Sequence, residues 1–144
     1  MVTVADLMSL MSCQRRQEDV VQVYKMERVQ VISGNNEIPT ATVKLVTPGG
    51  ETVTDAATGT GPVDAVYQAI NRIVGVPNTL TEYRVDAVTE GIDALGDVTI
   101  RIRQNGNIFV GRGSDTDIIV ASAKAYMNAL NRALAEMEEH KLPA

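Results

Sequence analysis

Histidine and cysteine are almost missing from this chain: His140 and Cys13 are the only examples in 144 residues. A zinc site needs several such ligands and a histidine-based triad needs a placed imidazole, so neither is expected here. One cysteine also excludes an internal disulfide. Tryptophan is absent and phenylalanine occurs once, beside four tyrosines, which leaves no aromatic platform for stacking bases. Basic residues are outnumbered 13 to 18, for a net charge of −5 and a pI near 4.8. Nucleic acid needs a basic footprint, and the one local cluster, "QRRQ" at 14–17, reads as a solvated face. No apolar run is long enough to span a bilayer, so no membrane partner is expected. The opening "MVTVADLMSL" lacks a basic leader followed by an unbroken apolar block, so no secretory signal is read and a cytoplasmic location is expected.

What remains is a globular composition, 44% hydrophobic and 22% charged, with enough chain for one domain or two halves sharing a core. The strongest internal signal is a repeat. "ERVQVIS" (27–33) resembles "YRVDAVT" (83–89), aligning Arg28-Val29 with Arg84-Val85 at an offset of 56 residues. The turn "PGG" (48–50) falls opposite "QNG" (104–106) at the same offset, and Asn71-Arg72 returns as Asn131-Arg132 at 60. Each copy reads strand, strand, strand, helix. "TATVKLV" and "ETVTDAA" alternate around Pro48-Gly49-Gly50, and "DVTIRIR" and "NIFVGR" alternate around Asn105-Gly106, both hairpin signals. Val43, Leu45, Ile100 and Ile102 should face the core. One helix carries Val63, Val66, Tyr67, Ile70, Ile73 and Val74. The other carries Ile119, Ala123, Tyr126, Leu130 and Met137 and should run to about residue 139, where the polar tail "EMEEHKLPA" frays. Tyr67, Tyr126 and Met127 read as core packing. The predicted fold is therefore α+β: two βββα units, about 21–75 and 80–139, related by a pseudo-two-fold axis, with helices packed on antiparallel sheets. Residues 1–20 stand apart, as a short helix from Thr3 to Ser12 and a linker.

Two Gly-x-Gly motifs precede the helices, "GTG" (59–61) and "GRG" (111–113). Asp64 and Thr116 occupy the positions where a dinucleotide fingerprint needs its third glycine, and no GK[ST] is present, so a phosphate cradle is not supported. Pro62 suits the first helical position, which makes Gly61 the N-cap and puts Asp64 in the first turn. A glycine cap has no side-chain acceptor, so first-turn N–H groups remain for an anion such as a carboxylate. Asp64 serves equally as dipole compensation or as a partner for an ammonium group. Asp117 reads as a helix-start residue, with Ser114, Asp115 and Thr116 as competing caps. A small zwitterion is the ligand class these features fit.

The segments "IPTATVKL" (38–45), "TDAATGTGPVDAVYQAINRIVG" (54–75), "YRVDAVTEGIDALGDVTIRIR" (83–103) and "GRGSDTDIIVASAKAYMNALNR" (111–132) resemble the C-terminal regulatory domain of 2-isopropylmalate synthases, which citramalate synthases share. The likeness covers about residues 20–135, and residues 3–20 are similar to the end of the linker subdomain before it. It implies a dimerising allosteric module that binds L-leucine as feedback inhibitor, or L-isoleucine in the citramalate branch. It also implies a catalytic TIM barrel as partner. That barrel would use a divalent metal to condense acetyl-CoA with 2-oxoisovalerate, the first committed step toward leucine. This chain lacks the barrel, so no catalytic residue, metal ligand or cofactor is expected on it. Carried over by position, the effector pocket comprises Gly59, Thr60, Gly61 and Asp64, then Leu80, Tyr83, Ala87 and Ala94, and is closed by Asp117 and Ile118. Leucine is favoured because "DAATGTGPVDA" and "TEGIDALG" look more like the isopropylmalate branch.

Two other readings compete. The chain could be a dimerisation module with a vestigial pocket. It could also be a small enzyme using Asp55, Glu82 and Asp86, although their spacing suggests no catalytic pair. A homodimer is expected in the favoured reading, because short strands with helices on one face leave apolar surface to cover.

Overall fold

A computed structural model describes residues 23–35, 37–87 and 95–141, with only the backbone of Ala87 and of the last four. The short helix and linker expected over residues 3–20, and the site residue Ala94, lie outside the described residues. Three antiparallel strands, β1 (Lys25–Gly34), β2 (Glu37–Val46) and β3 (Thr52–Thr58), form one sheet in that order. Helix α1 (Pro62–Val74) follows. Strands β4 (Thr79–Ala87), β5 (Gly96–Gln104) and β6 (Asn107–Asp115) form a second sheet, also in chain order, and α2 (Ile118–Lys141) completes the repeat. The fold is thus α+β, βββα twice.

Local chemistry accounts for the elements. Alternation puts Ala41, Val43 and Leu45 of β2, and Val98, Ile100 and Ile102 of β5, wholly inside. Asn105 and Gly106 both take positive φ, 52° and 81°, the geometry that closes a two-residue hairpin. Helix α1 stops at Gly75, whose left-handed φ of 69° turns its N–H onto the Asn71 carbonyl at 2.8 Å. Helix α2 continues through the polar "EMEEHK", because alanine, glutamate and methionine are good helix formers whatever their polarity. Each helix covers its own sheet, α1 against β2 and β3 and α2 against β5 and β6. The helices meet where the rings of Tyr67 and Tyr126 stack, 4.6 Å between centroids and 28° apart.

The strand pairings correct the repeat alignment. Met26, Val29 and Val31 lie opposite Leu45, Val43 and Ala41, whereas Leu80, Tyr83 and Val85 lie opposite Ile102, Ile100 and Val98. The equivalent of Val29 is therefore Tyr83, not Val85. The Arg-Val match at positions 28–29 and 84–85 is out of structural register by two residues. A slip of two preserves the in–out alternation of a strand, so periodicity could not detect it. Each first strand has an irregularity near its start, between Met26 and Arg28 and between Leu80 and Glu82, that sets which residues face inward.

In this register the two Asn-Arg pairs become a symmetric fastening. Asn131 of α2, almost fully buried, grips the backbone of Tyr24 just before β1: the Tyr24 N–H donates to Oδ1 and Nδ2 donates to the Tyr24 carbonyl, each at 2.9 Å. Asn71 of α1 holds the corresponding point before β4, accepting from Asn78 Nδ2 at 2.9 Å. Each helix thus pins the lead-in to the other unit's first strand, the interlocking expected of a pseudo-two-fold pair.

Candidate ligand-binding site

Helix α1 begins as its sequence predicts, with Gly61 as an extended N-cap, Pro62 first in the helix and no side-chain cap on the turn. The helical ladder starts with Ala65 N–H to the Gly61 carbonyl at 2.9 Å, so the N–H groups of Val63 and Asp64 precede it and have no carbonyl within the helix. Asp64 reaches backwards instead. Its Oδ2 accepts the Thr60 N–H at 2.9 Å and the Thr60 hydroxyl at 3.4 Å. The two glycines of "GTG" differ. A Cβ on Gly59 would lie 2.4 Å from the Ala65 nitrogen, so this glycine is required by its own helix. A Cβ on Gly61 would meet nothing within 4 Å, and space before the helix is open there.

The "GRG" pair has another role. A Cβ on Gly111 would stand 2.0 Å from the Ala125 carbonyl oxygen, and one on Gly113 would stand 2.4 Å from that of Ala121. These glycines let α2 lie directly on β6. The start of α2 is closed by its own side chain: Asp117 Oδ1 accepts the Ile119 N–H at 2.8 Å. Asp117 is therefore the cap among the four candidates, and Asp115 supports it by accepting the Asp117 N–H at 3.0 Å. That N–H, then Lys124, hold the Asp115 carboxyl below its usual range.

Beside α2 stands β4. Tyr83 meets Ser122 Oγ at 2.8 Å, and Ser122 Oγ donates to the Ile118 carbonyl at 2.7 Å, so the tyrosine supplies the proton of the first bond. Ala87 pairs with Gly96, and Gly96 has no room for a Cβ because Ile118 Cδ1 would be 2.5 Å away. Tyr83, Ala87 and Ile118 are thus brought to one place. Leu80 is on the same strand and faces the same way. Leu80, Tyr83 and Val85 are 39–45% exposed, although they occupy the inward register, while their counterparts Met26, Val29 and Val31 pack on the core. Among the described residues the hydrogen bonds of the Gly59–Asp64 cluster and of the β4–α2 cluster remain separate.

Tyr67, expected from the sequence to be core packing, differs from its neighbours in one respect. It lies one helical turn beyond Asp64 and stacks on Tyr126. It is 7% exposed, and its hydroxyl is buried without a hydrogen-bond partner among the described residues. Burial drives its pKa far above the ordinary tyrosine value, so the phenol keeps its proton. Tyr126 is also raised by burial, but its hydroxyl is satisfied by Asn78 Oδ1 at 2.7 Å and Asn71 Oδ1 at 3.0 Å. No sequence pattern separates these two tyrosines. Only the partner count does.

The carboxylates weighed as an enzyme's machinery are dispersed. Asp55 bonds Arg72 at 3.2 Å, Asp86 bonds Arg84 at 3.0 Å, and Glu82 pairs with Arg101. The Ala56 N–H and then Arg72 hold Asp55 below its usual value, which suits an anion rather than a proton donor. Among the described residues no three His, Cys, Asp or Glu side chains converge as metal ligands, and no helix is long and apolar enough to cross a membrane.

Comparison with known proteins agrees with this architecture. The family model described as the LeuA allosteric (dimerisation) domain matches residues 1–134. A 2-isopropylmalate synthase of Picosynechococcus is 57% identical over 118 residues, covering 82% of this chain and 22% of that protein. One of Nostoc is 60% identical over 116 residues, 81% of this chain and 22% of the relative. One of Synechocystis is 51% identical over 140 residues, 97% and 26% respectively. The chain therefore spans about a quarter of the length of the curated relatives it matches. By the extent of the family match and the identity of these relatives, this chain belongs to the LeuA allosteric (dimerisation) domain family.

Proposed function

We propose that this chain is the regulatory part of a 2-isopropylmalate synthase, that it binds L-leucine as feedback inhibitor, and that it pairs with a second copy of itself. The observation that carries the ligand reading is the side-chain-uncapped start of α1. Its first-turn N–H groups suit a carboxylate, and Asp64 Oδ1 beside them suits an ammonium group. Leu80 and Val85 on β4, with Ile118, offer apolar contacts for a branched side chain. Dimerisation is supported by the exposure of Leu80, Tyr83, Val85 and Ile118 on neighbouring elements, a patch of the kind that marks an interface. In this reading the catalytic barrel of the parent enzyme handles the divalent metal and acetyl-CoA.

Inhibition follows from linkage. Leucine changes the barrel's activity only by as much as it binds one domain arrangement better than another, about 1.4 kcal/mol for each tenfold difference in affinity. The test is calorimetry of this chain with L-leucine, L-isoleucine and L-valine, beside light scattering for the dimer. Saturable heat with leucine preferred is expected. Heat with isoleucine preferred moves the chain to the citramalate branch. No binding at millimolar concentration by any of the three leaves a dimerisation module only.

A further inference from the structure

The unpartnered hydroxyl of Tyr67 needs an explanation, because a buried polar atom without a hydrogen bond is unfavourable unless something supplies one. The fold does not require it. In the duplicate helix the residue matching Tyr67 at the Asn-Arg offset is Met127, equally buried with no hydroxyl to satisfy. Neither stacking on Tyr126 nor filling the space between the helices needs the oxygen. The nearby hydroxyls are committed elsewhere: Tyr126 to Asn71 and Asn78, Tyr83 to Ser122, and Ser122 to the Ile118 carbonyl. Tyr67, one turn after Asp64 on α1 and packed against the ring of Tyr126, is left among the described residues as a buried donor that keeps its proton.

We propose that Tyr67 is a specificity-determining residue of the effector site, and that its hydroxyl donates a hydrogen bond to the carboxylate of the bound amino acid. This inference rests on the leucine reading above and names a contact that reading does not contain. A neutral phenol donates to an anion more strongly than to a neutral acceptor, and in a site removed from water that difference becomes selectivity for an α-carboxylate. The free protein tolerates the unsatisfied hydroxyl, and the ligand relieves it.

The experiment titrates the wild-type chain and Tyr67→Phe with L-leucine and with L-leucinamide, whose neutral amide replaces the carboxylate, and records the Tm of each ligand-free protein. Tyr67→Phe should bind leucine about 10- to 100-fold more weakly, the range expected for a lost hydrogen bond to a charged group. Leucinamide affinity should fall by only about 2- to 5-fold, since a bond from the phenol to a neutral amide oxygen is about half as strong. The ligand-free variant should melt at the same temperature as wild type or a few degrees higher, because it lacks an unsatisfied buried group. Unchanged leucine affinity overturns the proposal. So does an equal loss for leucinamide, or a fall in the ligand-free Tm, which would show that the hydroxyl serves the fold. A wild-type chain that binds no leucine removes the effector reading itself, and this inference with it.

Discussion

Both helices follow a Gly-x-Gly, and comparing the two motifs shows how one short pattern serves different ends. In the second unit the glycines lie within β6 and let α2 rest on the strand through Ala121, Ala125 and Ala129. At the matching place of Gly111, the first unit has Asp55, which reaches α1 through Arg72. The first unit's own Gly-x-Gly comes later, in the loop, where Gly59 admits the helix start and Gly61 faces open space. The starts differ accordingly. That of α2 is capped by Asp117 and complete in itself, whereas that of α1 has no side-chain cap.

The largest expected effect tests the packed motif. Gly111→Ala forces a Cβ into the backbone of α2 and should destabilise the chain by about 3 kcal/mol or more, read as a lower denaturant midpoint. Gly61→Ala should change stability by less than about 1 kcal/mol, yet weaken leucine binding measured by calorimetry. Equal destabilisation by the two would abolish the distinction.

The paired asparagines come next. Asn131→Ala strands both backbone groups of Tyr24 and should cost about 2–3 kcal/mol. Asn71→Ala should cost less, about 1 kcal/mol, because Tyr126 retains its bond to Asn78. Chemical denaturation of both variants orders them.

Of the two aspartates, Asp117→Ala should remove about 1 kcal/mol through loss of the cap. Asp64→Ala should show its main effect in leucine affinity, and a thermal scan with and without leucine separates the two. The smallest effect is acid sensitivity. Asp55 and Asp115 titrate below their ordinary value of 3.8 in the folded chain. They bind fewer protons folded than unfolded, so their contribution is complete above that value and declines as pH falls through the folded pKa. Melting curves should shift only below about pH 4, and Arg72→Ala should reduce the shift attributable to Asp55.

Much of the fold was legible in the sequence because it rests on local rules. Asn105-Gly106 names its turn, Pro62 and Gly75 bound α1, and alternation in β2 and β5 selects the buried residues. The strand register was not, since Arg28-Val29 matches Arg84-Val85 by identity while the pairings align Val29 with Tyr83. Nor was the exposure of β4. Its pattern shows which side faces inward but not whether a helix covers that side. The part of the candidate site on local motifs, Gly59 to Asp64, was visible in the same way. The bond of Tyr83 to Ser122 and the stacking of Tyr67 on Tyr126 depend on tertiary contacts that no spacing encodes. The fastening of Asn131 to Tyr24, 107 residues apart, is of the same kind.

That fastening gives α2 two attachment points with different consequences. Near its first turn, Ser122 bonds Tyr83 of β4. Nine residues on, roughly 14 Å along a rigid helical rod, Asn131 holds Tyr24. Tyr24 lies just after the segment formed by residues 1–22. One helix is thereby tied to β4 at one end and to the start of β1 at the other, so the second sheet and the entry to the first share a single rigid connector.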